Sequence, residues 1–302
     1  LLAGFIRKQS VSLVKCKTVD LEVPSDSEFV LEGFIDPSEM RLEGPFGDHT
    51  GYYSQDGDYP VFHLTAITHR KDPIYLTTIV GKPPQEDFYL GRATERIFLP
   101  LLRTQLPEIV DMDMPVEGVF HNCVIVSIDK SYPMQSRRLM SALWGLGQMS
   151  FVKTIITVDP TVDVHNYEEV VKLILNQVNF DRDLFFSEGV LDVLNHASDN
   201  MLYGSKLGID LTTKVKGEPG FGESKKSDRN MSALVSIDEI KNCFPEVKDI
   251  KHLDLNTQRS VMYIALNKTL PNQATEFIEA FFKEPKFSTV NIAIVLEGNV
   301  NL

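Results

Sequence analysis

The chain repeats itself at an offset of 138 positions, and that repeat limits what it can fold into more than any other feature. Lys130 falls on Lys268, Pro133 on Pro271, Gln135 on Gln273 and Ala142 on Ala280. The apolar run Val124–Ser127 falls on Met262–Ala265, and Ile155–Asp159 falls on Ala293–Glu297. Each copy reads strand, helix, strand, which calls for parallel pairing with a right-handed crossover. Apolar periodicity alone would give two such units, but not a shared Lys-x-x-Pro-x-Gln; a duplication of one α/β half-domain explains both. The second copy carries Thr275, Glu276 and Phe282 where the first has Arg137, Arg138 and Trp144. It is therefore expected to be a scaffold or an interface, not a second active site.

Ahead of the first copy the texture is β. Ser12–Cys16, Glu28–Ile35 and Val61–Thr68 alternate, Asp36-Pro37-Ser38 reads as a turn, and Ile74–Val80 reads as a further strand after a proline. Strands at this spacing predict a small barrel or sandwich. Gly81-Lys82-Pro83-Pro84 breaks the pattern, and Asp87 to about Leu106 predicts a helix. The α/β part predicts helices over 135–146 and 166–177, and buried strands over 124–128 and 154–158. Gly217 to Lys226, rich in glycine and charge, reads as a flexible linker.

Net charge is -12, which argues against nucleic acid and anionic membranes as partners. No apolar run approaches the roughly 18 residues that span a bilayer, and no secretory signal opens the chain. Cys16, Cys123 and Cys243 are odd in number and far apart, as expected of buried thiols in a reducing cytoplasm. The first residues, Leu1-Leu2-Ala3-Gly4-Phe5, read like the middle of an element, so a preceding segment is expected.

Two carboxylates, Glu43 and Asp48, flank Gly44-Pro45-Phe46-Gly47. Two glycines around Pro-Phe predict a tight loop that could hold one acid ionised and one protonated. On the residues alone the pattern is weak, and a pair of solvated acids beside a turn accounts for it better. His49, His63 and His69 share the region; a metal site or ordinary structural roles would both account for them, the latter better for a histidine inside an alternating strand.

In this order the blocks resemble the UbiD family of decarboxylases. They are Leu13-Val14-Lys15-Cys16, Val23-Pro24, Glu28–Gly33, Glu43–Tyr53, Gly81–Asp87, Val158–Val164 and Gly204–Asp210. The resemblance implies an α+β and α/β chain. Residues 1–110 would be the C-terminal part of a flavin-binding split β-barrel with its linking helix, and 111–216 the α/β C-terminal domain. A linker at 217–230 and the duplicated half-domain at 231–302 would follow. It implies prenylated FMN, Mn2+ and K+ or Na+ as cofactors, an aromatic acid as substrate, a flavin prenyltransferase as cofactor supplier and a homo-oligomer. A polyprenylated substrate of ubiquinone or menaquinone synthesis would bring the enzyme to a membrane surface. By motif, Asp48 matches the family's proton donor and Glu43 the acid that pairs with a catalytic Arg. That Arg, the metal ligands and most flavin contacts would lie upstream of Leu1, so no metal ligand is expected in this chain, which by itself should be inactive. A naphthoate or a small phenolic or acrylic acid is the alternative substrate. An oligomerisation or interaction module is the alternative role.

Overall fold

The computed structural model describes residues 2–82, 84–120, 122–198, 200–223, 235–253, 257 and 259–302. Pro83 of the predicted break and residues 224–230 of the predicted linker lie outside them. The chain divides into two compact units, Leu1–Ala93 and Thr94–Leu302.

The first unit opens on helix α1 (Leu2–Arg7) and a short antiparallel ribbon of β1 (Leu13–Lys15) and β2 (Glu22–Pro24). A long antiparallel ribbon of β3 (Phe29–Glu43) and β4 (Gly57–His69) follows. The turn expected at Asp36-Pro37-Ser38 does not end β3. Asp36 Oδ1 accepts from Ser38 N at 2.9 Å and from Ser38 Oγ at 2.6 Å, which folds the segment into a bulge between the pairs Ile35–Phe62 and Met40–Pro60. A second bulge sits at Glu32–Gly33. A Cβ at Gly33 would lie 2.1 Å from the His63 carbonyl oxygen, so glycine is needed there for the strands to approach.

Ile74–Val80 forms no strand. Its alternation favours an extended backbone, but no strand edge among the described residues pairs with it, and Ile74, Tyr75, Leu76, Ile79 and Val80 are all exposed. It is held at points, by Ile74 N–H to Glu28 and Ile79 N–H to Glu86, each at 3.0 Å, and by Tyr75 edge-on to Phe29.

Glu32 ties the two ribbons together. Its buried carboxylate accepts from Lys17 N at 2.8 Å, Thr18 N at 2.6 Å and Thr18 Oγ1 at 2.9 Å. The Lys17 and Thr18 amides hold its pKa below the ordinary carboxylate value. A depressed folded pKa contributes stability that is present above the unfolded value and is lost as pH falls through the folded one. Glu32→Gln is therefore expected to lower the urea midpoint at neutral pH. The wild-type and variant midpoints should converge on acidification; a gap that stays constant with pH would refute the clamp.

Helix α2 (Glu86–Gln105) leads into the second unit, close to where the sequence placed it. There β5 (Ile109–Asp113), β6 (Cys123–Ile128), helix α3 (Gln135–Trp144), β7 (Thr154–Val158), helix α4 (Tyr167–Gln177), β8 (Leu184–Val190) and β9 (Tyr203–Asp210) build a five-stranded sheet. Its order is β5-β6-β7-β9-β8, with the three inner strands parallel and both edges antiparallel. Strands β6 and β7 are buried almost throughout, as unbroken apolar runs require. A second sheet, β10-β11-β12, comes from helix α5 (Ile237–Cys243), β10 (Val247–Leu253), β11 (Val261–Leu266), helix α6 (Gln273–Lys283) and β12 (Ile292–Glu297).

The offset of 138 seen in the sequence recurs in three dimensions. Strands β10, β11 and β12 and helix α6 begin 138 positions after β5, β6, β7 and α3, with the same pairing senses. Even the bulge recurs: Ile109 faces Ile128 and the ladder resumes at Asp111–Ser127, while Val247 faces Leu266 and resumes at Asp249–Ala265. The shared glutamine has a defined task. Gln135 Oε1 accepts from Ser131 N at 2.7 Å, and Gln273 Oε1 accepts from Thr269 N at 2.8 Å. Met134 and Asn272, before each helix, both sit at left-handed φ, 63° and 62°.

The loss of Arg137 and Trp144 is explained by what the second sheet lacks; Arg138, which pairs with Glu108, has no such explanation. Arg137 donates to the Arg182 and Leu184 carbonyls and lies over the Phe185 ring, while Trp144 packs on Phe185. Both contacts reach β8 or the turn before it, and the three-stranded sheet has no equivalent of β8. Its core instead gathers Phe277, Phe281 and Phe287 around Phe244, with Phe281 stacked on Phe287 at 4.7 Å.

Candidate functional site

The segment between β3 and β4 closes on itself. Ser54 N–H donates to Phe46 O at 2.8 Å, Asp48 N–H to Tyr52 O at 3.1 Å and Gly51 N–H to Asp48 O at 3.1 Å, beside a bridge between Gly47 and Tyr53. Gly44, at φ 93°, needs glycine. Gly47 does not, since its φ is unexceptional and a Cβ there would meet nothing within 4 Å; the second required glycine is Gly51, at φ 81° and covered by the Lys82 side chain. The loop is closed by these hydrogen bonds, and the glycines at positive φ are Gly44 and Gly51, not Gly44 and Gly47.

Glu43 is the last residue of β3 and is exposed. Asp48 sits inside the loop with its side chain 12% exposed, beside His49 at 17%. Asp48 Oδ1 accepts from the His49 backbone N–H at 2.6 Å and faces His49 Nδ1 at 2.8 Å. No hydrogen bond joins Glu43 to Asp48: Glu43 ends β3, Asp48 lies in the loop that follows, and the Asp48 side chain meets His49. The sequence held one signal for that contact. A histidine directly after an aspartate at a turn puts its own amide within reach of the carboxylate.

The other two histidines are engaged elsewhere. His63 Nε2 pairs with Glu39 at 2.5 Å and its ring stacks on Phe34, and this bond holds the Glu39 pKa low; His69 Nδ1 donates to the Arg70 carbonyl at 2.7 Å. Among the described residues no group of three or more His, Cys, Asp or Glu is placed to hold a metal. The three cysteines are free thiols. Burial, with Asp113 and Glu117 nearby, pushes Cys123 up to about 12, which makes it a poor nucleophile.

In the second unit a cavity of about 920 Å³ lies just beyond β9. Most of its charged side chains are already engaged. Lys214 bridges Asp183 and Asp210 at 3.0 and 2.8 Å, Arg182 pairs with Asp183 and Glu223, and Arg259 donates to the carbonyls of Ile174, Leu175 and Val178 at the end of α4. The arrangement locks structure in place, and the 43–53 loop is the stronger candidate.

Two family models match the sequence. The 3-octaprenyl-4-hydroxybenzoate carboxy-lyase Rift-related domain covers residues 1–83, and the 3-octaprenyl-4-hydroxybenzoate carboxy-lyase C-terminal domain covers 88–211. The chain belongs to the UbiD family. An uncharacterized protein of Archaeoglobus fulgidus is 51% identical over 219 residues, which is 72% of this chain and 46% of that protein. One of Aquifex aeolicus is 50% identical over 243 residues, 80% of this chain and 50% of that protein. The chain thus spans about half the length of these relatives. Among solved structures, vanillic acid decarboxylase of Sedimentibacter hydroxybenzoicus in its closed form is similar with a TM-score of 0.65 and 28% identity, over 78% of this chain and 49% of that one. The UbiD-class enzyme HmfF of Pelotomaculum thermopropionicum, in complex with FMN, gives 0.57 and 29% over 78% and 51%. The mixed α+β architecture is therefore that of UbiD-class enzymes, while the second copy of the repeat lies beyond both family matches. No helix of the described residues is long and apolar enough to cross a membrane.

Proposed function

We propose that this chain carries the proton-donating arm of a non-oxidative aromatic-acid decarboxylase. The observation that carries the reading is Asp48, a mostly buried acid in a closed loop with one carboxylate oxygen taken by His49. Loss of CO2 from an aromatic acid leaves an electron pair on a ring carbon, and one proton must be delivered there for each CO2 released. A carboxylic acid fixed in a half-closed loop suits that delivery. Glu43, exposed at the end of β3, is read as the partner of a catalytic Arg.

The cofactors in this reading are prenylated FMN, Mn2+ and K+ or Na+. In this reading the metal and most flavin contacts belong to residues outside the described ones, as the family resemblance implies. Strands β3 and β4 fit the remainder of a split barrel, since Phe34, Ile35, Phe62 and Leu64 are exposed on the ribbon and a two-stranded ribbon needs a partner surface. Residues 231–302 are read as a duplicated half-domain serving assembly, supported by their separate phenylalanine core. The substrate is read as 3-polyprenyl-4-hydroxybenzoate or a similar quinone precursor. A small phenolic acid is the second reading, favoured by the likeness to the vanillic acid decarboxylase.

The test is to produce the intact protein together with a flavin prenyltransferase and follow CO2 release from polyprenyl-hydroxybenzoate, naphthoate and simple phenolic acids. A flavin absorption band with release from one of them is expected. Bound flavin with no release from any member of the panel would overturn the reading.

A further inference from the structure

Asp48 has two oxygens in unequal surroundings. Oδ1 receives the His49 backbone N–H at 2.6 Å and stands 2.8 Å from His49 Nδ1, whereas Oδ2 takes no hydrogen bond among the described residues. An oxygen already accepting two N–H groups has no room for a proton of its own. With His49 Nδ1 as the second donor, the protonated form of Asp48 would carry its hydrogen on Oδ2, which takes no hydrogen bond among the described residues.

We propose that His49 is a positioning residue for proton delivery. Its neutral ring carries hydrogen on Nδ1, donates it to Asp48 Oδ1, and so fixes the carboxyl plane with the acidic proton on Oδ2. This rests on the proposed function, where Asp48 is the donor. The bookkeeping closes. The Oδ2 proton passes to the carbon that has lost CO2, Asp48 is left as a carboxylate still held by both His49 donors, and solvent returns one proton to Oδ2. His49 is never a net donor. Side-chain exposures of 17% and 12% for the pair limit competition from water for the Nδ1 bond. The histidine thus sets geometry, and misplacing a proton donor by about 1 Å can cost about 100-fold in rate.

The experiment uses two substitutions in the intact, flavin-loaded protein. In His49→Leu the Nδ1 donor is gone, and kcat is expected to fall about 100-fold with KM little changed. In His49→Asn the side-chain amide can donate to Oδ1 from nearly the same place, and most of the rate should return. A wild-type kcat in His49→Leu would overturn the proposal. So would a His49→Asn variant as slow as His49→Leu while folded and flavin-bound. An arm without turnover reads the pair directly: 15N NMR of the His49 ring should find its proton on Nδ1 in the wild type and redistributed in Asp48→Ala, which lacks the accepting oxygen. A wild-type ring protonated on Nε2 alone would remove this inference. A normal decarboxylation rate in Asp48→Asn would instead remove the proposed function, so the two failures can be told apart.

Discussion

Asp48→Asn in the intact protein is expected to lower decarboxylation by about 100- to 10,000-fold, the usual range for a positioned general acid. The substitution is nearly isosteric, and the amide oxygen can still accept from His49 N–H, so the loop closed by Gly44 and Gly51 should survive. What the substitution removes, in the proposed mechanism, is the acidic hydrogen that Asp48 would deliver. Flavin absorbance and the unfolding midpoint should therefore stay at wild-type values while kcat falls. Incorporation of solvent deuterium into product should slow in step with CO2 release. Turnover within a few-fold of wild type would end the assignment of Asp48. Glu43→Gln tests the partner acid in the same assay, with a loss expected if Glu43 orients a catalytic Arg.

Glu218→Ala is expected to cost about 3–5 kcal/mol of stability, because it strands a buried ammonium. Lys130 and Glu218 are almost fully enclosed, with side chains 3% and 2% exposed, and meet at 2.7 Å. Lys130 Nζ also donates to Thr212 Oγ1 at 2.9 Å, while Glu218 accepts from Met134 N at 2.7 Å and Val215 N at 2.8 Å. Burial would raise the Glu218 pKa, but the Lys130 ammonium and these two amides outweigh it and leave the pKa below the ordinary value. The sign follows. The pair's contribution is complete above the unfolded carboxylate pKa and is lost as pH falls through the lower folded one. Urea unfolding at neutral pH should show the large loss in Glu218→Ala. Replacing both partners by apolar residues, as in Lys130→Met with Glu218→Leu, should recover most of it, since no charge is then left alone. A double variant as unstable as the single one would show that the amide contacts, and not the charge pair, carry the energy.

Glu218 also marks a limit of reading by composition. Gly217 to Lys226 looks like a linker because glycine, proline and charge dominate it. Its first part is pinned instead: Glu218 reaches back to the N-terminus of α3, 84 positions away. Nothing local in the sequence distinguishes a solvated glutamate from one that will find a lysine at position 130. The Asp36-Pro37-Ser38 segment failed in a related way. The residues favour a turn, and they do form one, but pairing with β4 on both sides carries the strand through it as a bulge. Ile74–Val80 failed for the opposite reason, since its pattern favours a strand and no edge is present among the described residues to pair with.

Part of the 138-position correspondence was legible, while its first strands, β5 and β10, were not. Apolar period, the Lys-x-x-Pro-x-Gln spacing and the offset of 138 located the strands β6, β7, β11 and β12 and the helices α3 and α6, because each depends on contacts within a few turns of chain or between adjacent parallel strands. The family blocks likewise placed Glu43 and Asp48 around one loop from sequence order alone. Tertiary structure alone decided that Asp48 turns one oxygen to His49, that Gly51 and not Gly47 shapes the loop, and that Lys130 closes on Glu218. Those outcomes depend on which side chains meet across the fold and on how much water they exclude, and residue spacing along the chain carries no record of either.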